Sequence, residues 1–230
     1  MKRLVLLVFL SWSLALHADE LGNPSVQPTS SDDLLCLSLP GFRFGLGSVA
    51  EDSTGVQIGL SVVDTADLTG FQFGLFFAMA QSFHGWQHGN FICFTGTPFR
   101  NMSKLTLDST PQTRRAHGLQ TSIIFGAVDC LDGVQLSVVG ATAWEIRGLQ
   151  LAIGQAEAKM AEGLQISLHT VASDLSGLQI GLYNEVETLH GVQIGLVNLT
   201  RAGSGIQIGL VNGFGSEGGT RWLPLLNARF

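Results

Sequence analysis

Charge is scarce in this chain. Asp, Glu, Lys and Arg make up 13% of the 230 residues, and 12 basic residues stand against 18 acidic ones for a formal net charge of −6. Nucleic-acid affinity depends on clustered Lys and Arg, and past the N-terminus the one adjacent basic pair is Arg114-Arg115, so a nucleic-acid partner is excluded. Proline is also rare, with 6 residues, and no G-X-Y period runs through the chain, which excludes collagen. The 3 cysteines, Cys36, Cys93 and Cys130, have no zinc-site spacing; in an oxidising compartment one pair could bridge and leave one over, but the favoured reading is small buried hydrophobes. What the chain has in quantity is apolar residues, 45%, and glycine, 29 residues, well above the usual share of about 7%. The first excludes disorder, and the second argues against a helix-rich core.

The N-terminus reads as a secretory signal peptide over residues 1–18. Lys2 and Arg3 form the basic region, Leu4 to Leu16 the apolar region, and Ala18 offers a small residue for cleavage before Asp19. The run is short for a membrane span. Without Lys2 and Arg3 the formal charge becomes −8.

Internal repeats organise the rest. Related hexapeptides begin at Gly55 (GVQIGL), Gly70 (GFQFGL), Gly133 (GVQLSV), Gly148 (GLQLAI), Gly163 (GLQISL), Gly177 (GLQIGL), Gly191 (GVQIGL) and Gly205 (GIQIGL), with weaker members at Gly41, Gly85 and Gly118. Their spacing is 14 or 15 residues, except for 33 between Gly85 and Gly118. That gap holds a degenerate unit near Lys104–Leu107 or a long loop, the latter favoured by Pro98 and Pro111. Within a unit, Val192, Ile194 and Leu196 alternate with Gln193 and Gly195. A period of two means a strand with one buried face, and the aliphatic face is the one expected inside. Asn184, Asn198 and Asn212 follow the best strands, where a turn with positive φ would suit them. Because the motif keeps its phase, the extra residue of the longer units is expected in the second half of each unit.

Two architectures fit this period. The leading one is all-β, a β-solenoid of about 11–12 short coils with parallel strands about 4.8 Å apart. The alternative is an antiparallel outer-membrane β-barrel making a small pore or anchor, supported by the terminal Phe230 after an alternating stretch. Against it stand Pro224, the nearly uniform spacing, and a motif of about six residues where a spanning strand needs about 9–11. The organisation is then a signal peptide at 1–18, an N-terminal segment or cap at 19–40, repeats at 41–98, an insertion or degenerate unit at 99–117, repeats at 118–212 and a C-terminal cap at 213–230.

The tandem G-φ-Q-φ-G-φ-φ-N units, the signal peptide and the closing Trp222-Leu223-Pro224-Leu225-Leu226-Asn227 segment resemble a family of exported bacterial surface-repeat proteins. The resemblance implies export to the outer membrane or cell surface, or residence in the periplasm, and a structural or adhesive role without catalysis. The implied partners are another protein or a surface glycan, with outer-membrane association and no cofactor.

No chemistry-bearing constellation emerges. Solenoid enzymes need carboxylates or basic groups clustered on adjacent coils, whereas Glu51, Asp52, Asp64, Asp67, Asp129, Asp132, Glu185 and Glu187 lie in the variable halves without basic partners in register. No catalytic, cofactor-binding or metal residue is assigned. His84 and His88 are four apart on a strand, as a metal pair would be, but no third ligand accompanies them. The remaining candidate is the glutamine ladder. Gln135, Gln150, Gln165, Gln179, Gln193 and Gln207 read first as amides hydrogen-bonded from coil to coil, and second as a partner-binding strip. The insertion between Phe99 and His117 is the other candidate contact region.

Overall fold

Strict alternation within each unit makes strands, and the strands stack. The computed structural model describes residues 36–39, 41–96, 115–216 and 219–229. The signal peptide at 1–18, most of the segment at 19–40 and all but the last three residues of the insertion at 99–117 lie outside the described residues. The described residues contain no helix. In chain order the strands are β1 (Cys36–Leu39), β2 (Phe42–Gly74), β3 (Phe77–Gly89), β4 (Ile92–Thr95), β5 (Ala116–Ser122), β6 (Phe125–Ser137), β7 (Gly140–Ala152), β8 (Gln155–Ile166), β9 (His169–Ile180), β10 (Tyr183–Ile194), β11 (Val197–Ser216) and β12 (Gly219–Arg229).

Neighbouring strands are parallel and one unit apart. Gly70 pairs with Gly85, Gly85 with Gly118, and so on through Gly133, Gly148, Gly163, Gly177, Gly191 and Gly205. Val56 N–H donates to Gly41 O at 2.9 Å, tying in the first levels. The fold is a β-solenoid of about ten turns between eleven stacked glycines, and the antiparallel barrel is excluded. Gly118 sits directly on Gly85, while β4 completes the coil that begins at Gly85 by pairing with β3 and β6. No level of the stack therefore lies between the coils that begin at Gly85 and Gly118.

At each end an antiparallel strand closes the parallel ladder: β1 against Phe42–Gly45, and β12 against β11. Pro224 has no place in the ladder. It falls in the register shift opposite Gly209–Asn212, at a bulge where a missing N–H costs nothing.

The faces of the repeat strand are the reverse of the sequence expectation. Gln57, Gln72, Gln87, Gln120, Gln135, Gln150, Gln165, Gln179, Gln193 and Gln207 are buried inside the coil, and the aliphatics flanking them point out. The reason lies in the narrow interior. Gln135 Nε2 donates to Gln120 Oε1 of the coil before it at 2.8 Å and to Thr142 O across the coil at 3.1 Å. Gln150 does the same to Gln135 and to Glu157 O, at 2.9 and 3.0 Å. Both amide groups are satisfied, so burial costs little. The amide fills the space, and along much of the stack the facing wall holds small residues: Ala141, Ala143, Ala156, Ala158 and Ala172. Apolar bulk enters the interior mainly at one rank, two residues before the corner: Leu68, Phe83, Ala116, Leu131, Ile146, Ala161, Leu175 and Leu189, joined by Val128, Val186 and Phe214 from the facing wall.

Two further expectations are corrected. The 14-versus-15 difference lies at the corner directly after the repeat strand. Gly140 and Gln155 come seven residues after their corner glycines, whereas His169, Tyr183 and Val197 come six after theirs. The second half is constant in length. The asparagines at that corner do not take positive φ; among described non-glycine residues only Leu225 does. Asn184, Asn198 and Asn212 are buried, with Asn184 Nδ2 donating to Asn198 Oδ1 and Asn198 Nδ2 to Asn212 Oδ1, both at 2.7 Å. They also take up Ile194 O and Ile208 O at the shortened corner.

The corner glycine does what no other residue can. At Gly163 φ is +128°, and a Cβ would lie 2.2 Å from Gly148 O. Gly163→Ala is therefore expected to destabilise the solenoid by about 1–3 kcal/mol or more, read as a lower denaturant midpoint. Gln150→Ala removes the donor to Gln135 Oε1 and to Glu157 O and the acceptor for Gln165 Nε2. Each group stranded in the interior costs roughly 1–3 kcal/mol, so Gln150→Ala should lower the midpoint at least as far as Gly163→Ala.

Candidate interaction surface

With glutamine inside, the solenoid turns an aliphatic wall outward. Three ranks build it, at one, three and five residues past each corner glycine. In the coil starting at Gly148 they are Leu149, Leu151 and Ile153. Parallel pairing in register stacks each rank on itself from coil to coil. The third rank is the most exposed: Ile153 at 59%, Leu168 and Leu182 at 51%, Leu210 at 61%. No Asp, Glu, Lys or Arg occupies the three ranks, and every position is apolar except His88, Asn90 and Thr121. Isolated exposed aliphatics are ordinary on protein surfaces, but a contiguous patch of this size marks a contact face.

The three polar residues are linked by hydrogen bonds. His88 Nδ1 shares a hydrogen bond with Thr121 Oγ1 at 2.7 Å and His88 Nε2 with Asn90 Oδ1 at 2.8 Å, while Trp86 Nε1–H donates to Thr121 Oγ1 at 2.9 Å. This part of the wall is aromatic. The Trp86 ring meets Phe71 edge-on at 4.9 Å, and His88 stacks on Phe73 at 5.2 Å.

The six glutamines singled out as a partner-binding strip, Gln135, Gln150, Gln165, Gln179, Gln193 and Gln207, have essentially no exposed surface. Buried in this way, they form no surface strip, and the outward face is that of the aliphatics that flank them. The expectation of a coil-to-coil amide ladder does match the structure, which runs Gln207 to Gln193, Gln179, Gln165, Gln150, Gln135 and Gln120 with Nε2···Oε1 distances of 2.7–2.9 Å. His84 and His88 do not converge. The corner at Gly85 separates them, and His84 stacks on His117 of the next level at 4.9 Å.

Charge is confined to the other sides of the coil, and there it is paired. Arg115 reaches Asp132 at 2.8 Å and Glu145 at 2.7 Å, and Arg147 reaches Glu145 at 3.0 Å and Glu162 at 3.1 Å. Arg201 meets Glu187 one coil earlier at 3.2 Å. The expectation that no acidic residue has a basic partner in register is thus corrected, since Asp132 pairs in the ladder with Arg147. The pairs exposed on both sides, Arg147–Glu162 and Arg201–Glu187, contribute at most about 1 kcal/mol each. Among the described residues no group of three metal-ligating side chains converges.

Comparisons with protein-family models, with curated proteins and with solved structures find no match for this chain.

The thiols of Cys93 and Cys130 are both buried and free. Burial pushes the Cys93 thiol well above its usual range, and at Cys130 burial, followed by the charge of Glu145, pushes the same way. A depressed pKa and access are what make a thiol reactive, so both should resist a maleimide at neutral pH in the native protein and react fully on denaturation. Peptide mapping by mass spectrometry distinguishes them from Cys36.

Proposed function

We propose that this chain is a non-enzymatic exported repeat protein of the outer membrane or cell surface, with a structural or adhesive role performed by a β-solenoid that presents an aliphatic wall to a partner. The observation that carries the reading is the wall itself. Sequence selection for a soluble rod alone would place polar residues at outward positions; here coil after coil places Leu, Ile or Val there, while charge is kept to the other sides. A rigid stacked ladder suits such a display, because each coil is fixed by its neighbours. The basic and apolar segments of residues 1–18 support export, and Ala18 marks the expected cleavage site.

A polar ligand such as a glycan is less well suited to the wall than an apolar partner, because Trp86, His88 and Thr121 already hydrogen-bond within their own cluster and the other positions of the three ranks, Asn90 apart, are apolar.

Export is tested by expressing the full chain in a Gram-negative host and fractionating the cells. The mature protein is expected outside the cytoplasm with Asp19 at its N-terminus, and surface proteolysis of intact cells should cleave it. An uncleaved chain that remains in the cytoplasm would overturn the reading.

A further inference from the structure

The geometry points to a second copy of this chain as the occupant of the wall, packed face to face about a two-fold axis with the two solenoids antiparallel. The inference rests on the reading of the wall as a contact face and supplies its partner.

Size comes first. Eleven levels spaced by about 4.8 Å, and five residues at about 3.3 Å each, give a face of roughly 50 by 16 Å, or about 800 Å². That equals what each partner contributes to a stable interface of standard size, about 800 Å². The C-terminal strand extends the face rather than ending it, since Leu226 pairs with Ile208 and is 57% exposed. Desolvation comes second. The ranks hold no charge, and Trp86, His88 and Thr121 in their one polar cluster are hydrogen-bonded within it, so covering the wall strands few donors or acceptors there. Two flat sheets then pack in the aligned manner of a sandwich.

Charge argues against the competing occupant, a lipid surface. Interfacial binders flank their apolar face with Lys and Arg that meet anionic headgroups. The rank bordering this wall carries Asp132, Arg147 and Glu162, and its arginine is committed to Glu145 and Glu162. Orientation follows from bulk. Phe71, Phe73 and Trp86 thicken the N-terminal end of the wall, whereas from Gly133 onward every rank position is Val, Leu or Ile. Parallel copies would set aromatic against aromatic and leave a wedge at the aliphatic end; antiparallel copies set large against small along the whole length. The same bulk difference fixes the register, which identical ranks alone would leave free to slip by one coil. The two-fold axis then passes through the level of Val134, Leu136 and Val138.

The test compares the full chain, purified from its exported fraction without detergent, with variants by sedimentation velocity. The wild type is expected to be a dimer at micromolar concentration. The double variant Ile153→Asp, Leu168→Asp should weaken dimerisation roughly thirtyfold or more while its strand-type circular dichroism is retained, and Asp174→Lys, away from the wall, should leave the dimer intact. In case the double variant fails to fold, Val138→Cys should be joined to its mate by a short bis-maleimide and Leu210→Cys should not, with the wild type as blank. Cross-linking at both positions would overturn the antiparallel arrangement. A dimer indifferent to the wall variants, or a wild-type monomer throughout, would overturn self-pairing; a monomer still exported with Asp19 at its N-terminus leaves the adhesive reading standing. A monomer that floats with neutral phosphatidylcholine vesicles would overturn it in favour of lipid.

Discussion

A primary amide that reaches two walls at once holds this fold together. In a coil of 14 or 15 residues the interior is too narrow for apolar side chains from both sides. Glutamine solves the packing and the hydrogen bonding together: its methylenes fill the space, its Nε2 serves the rung below and the facing backbone, and its Oε1 accepts from the rung above. A chain of such bonds polarises cumulatively. It also has a direction. Each glutamine donates toward the N-terminal end, so the last acceptor, Gln207 Oε1, is buried without a partner, and the antiparallel β12 sets Asn227 beside it.

The shortened coils show how tightly that interior is specified. Where the corner loses a residue, from the coil of Gly163 onward, the rank that holds Ala141 and Ala156 becomes Thr170, Asn184, Asn198 and Asn212. A second amide ladder forms beside the first, and it donates toward the C-terminal end, opposite to the glutamines. The tighter corner brings backbone carbonyls of Ile194 and Ile208 inward, and asparagine is the residue that accepts a rung and serves such a carbonyl at once. Coil length and core composition thus change together.

The stack was legible in the sequence because its cause is local and repeated. Glycine every 14 or 15 residues and a phase that never slips are enough to imply parallel rungs, and Pro224 together with the short motif argued against the barrel. The faces were not legible. Alternation states that two faces differ without stating which is inside, and the usual assumption that aliphatics go inward fails in a space only one side chain wide. The signal that distinguishes the cases is available in principle: Ala141, Ala143, Ala156 and Ala158 in the second half of the unit leave room for something as long as glutamine, and would leave a void beside a valine. The ion pairs were missed for another reason. Arg115 to Glu145 spans 30 residues in sequence, and only the stacking brings them together.

The inversion separates stability from contact. In most sheets the aliphatic face is spent on the core, and changing it for a partner damages the fold. Here folding is carried by corner glycines, amide ladders and one rank of buried Leu, Ile and Phe, none of which lies on the wall. Substitutions at Ile153, Leu168 or Leu182 alter what the protein meets while leaving most of what holds it up. The low charge that first set this chain apart has the same origin: an interior of paired amides needs no ions, and the three outward ranks carry none.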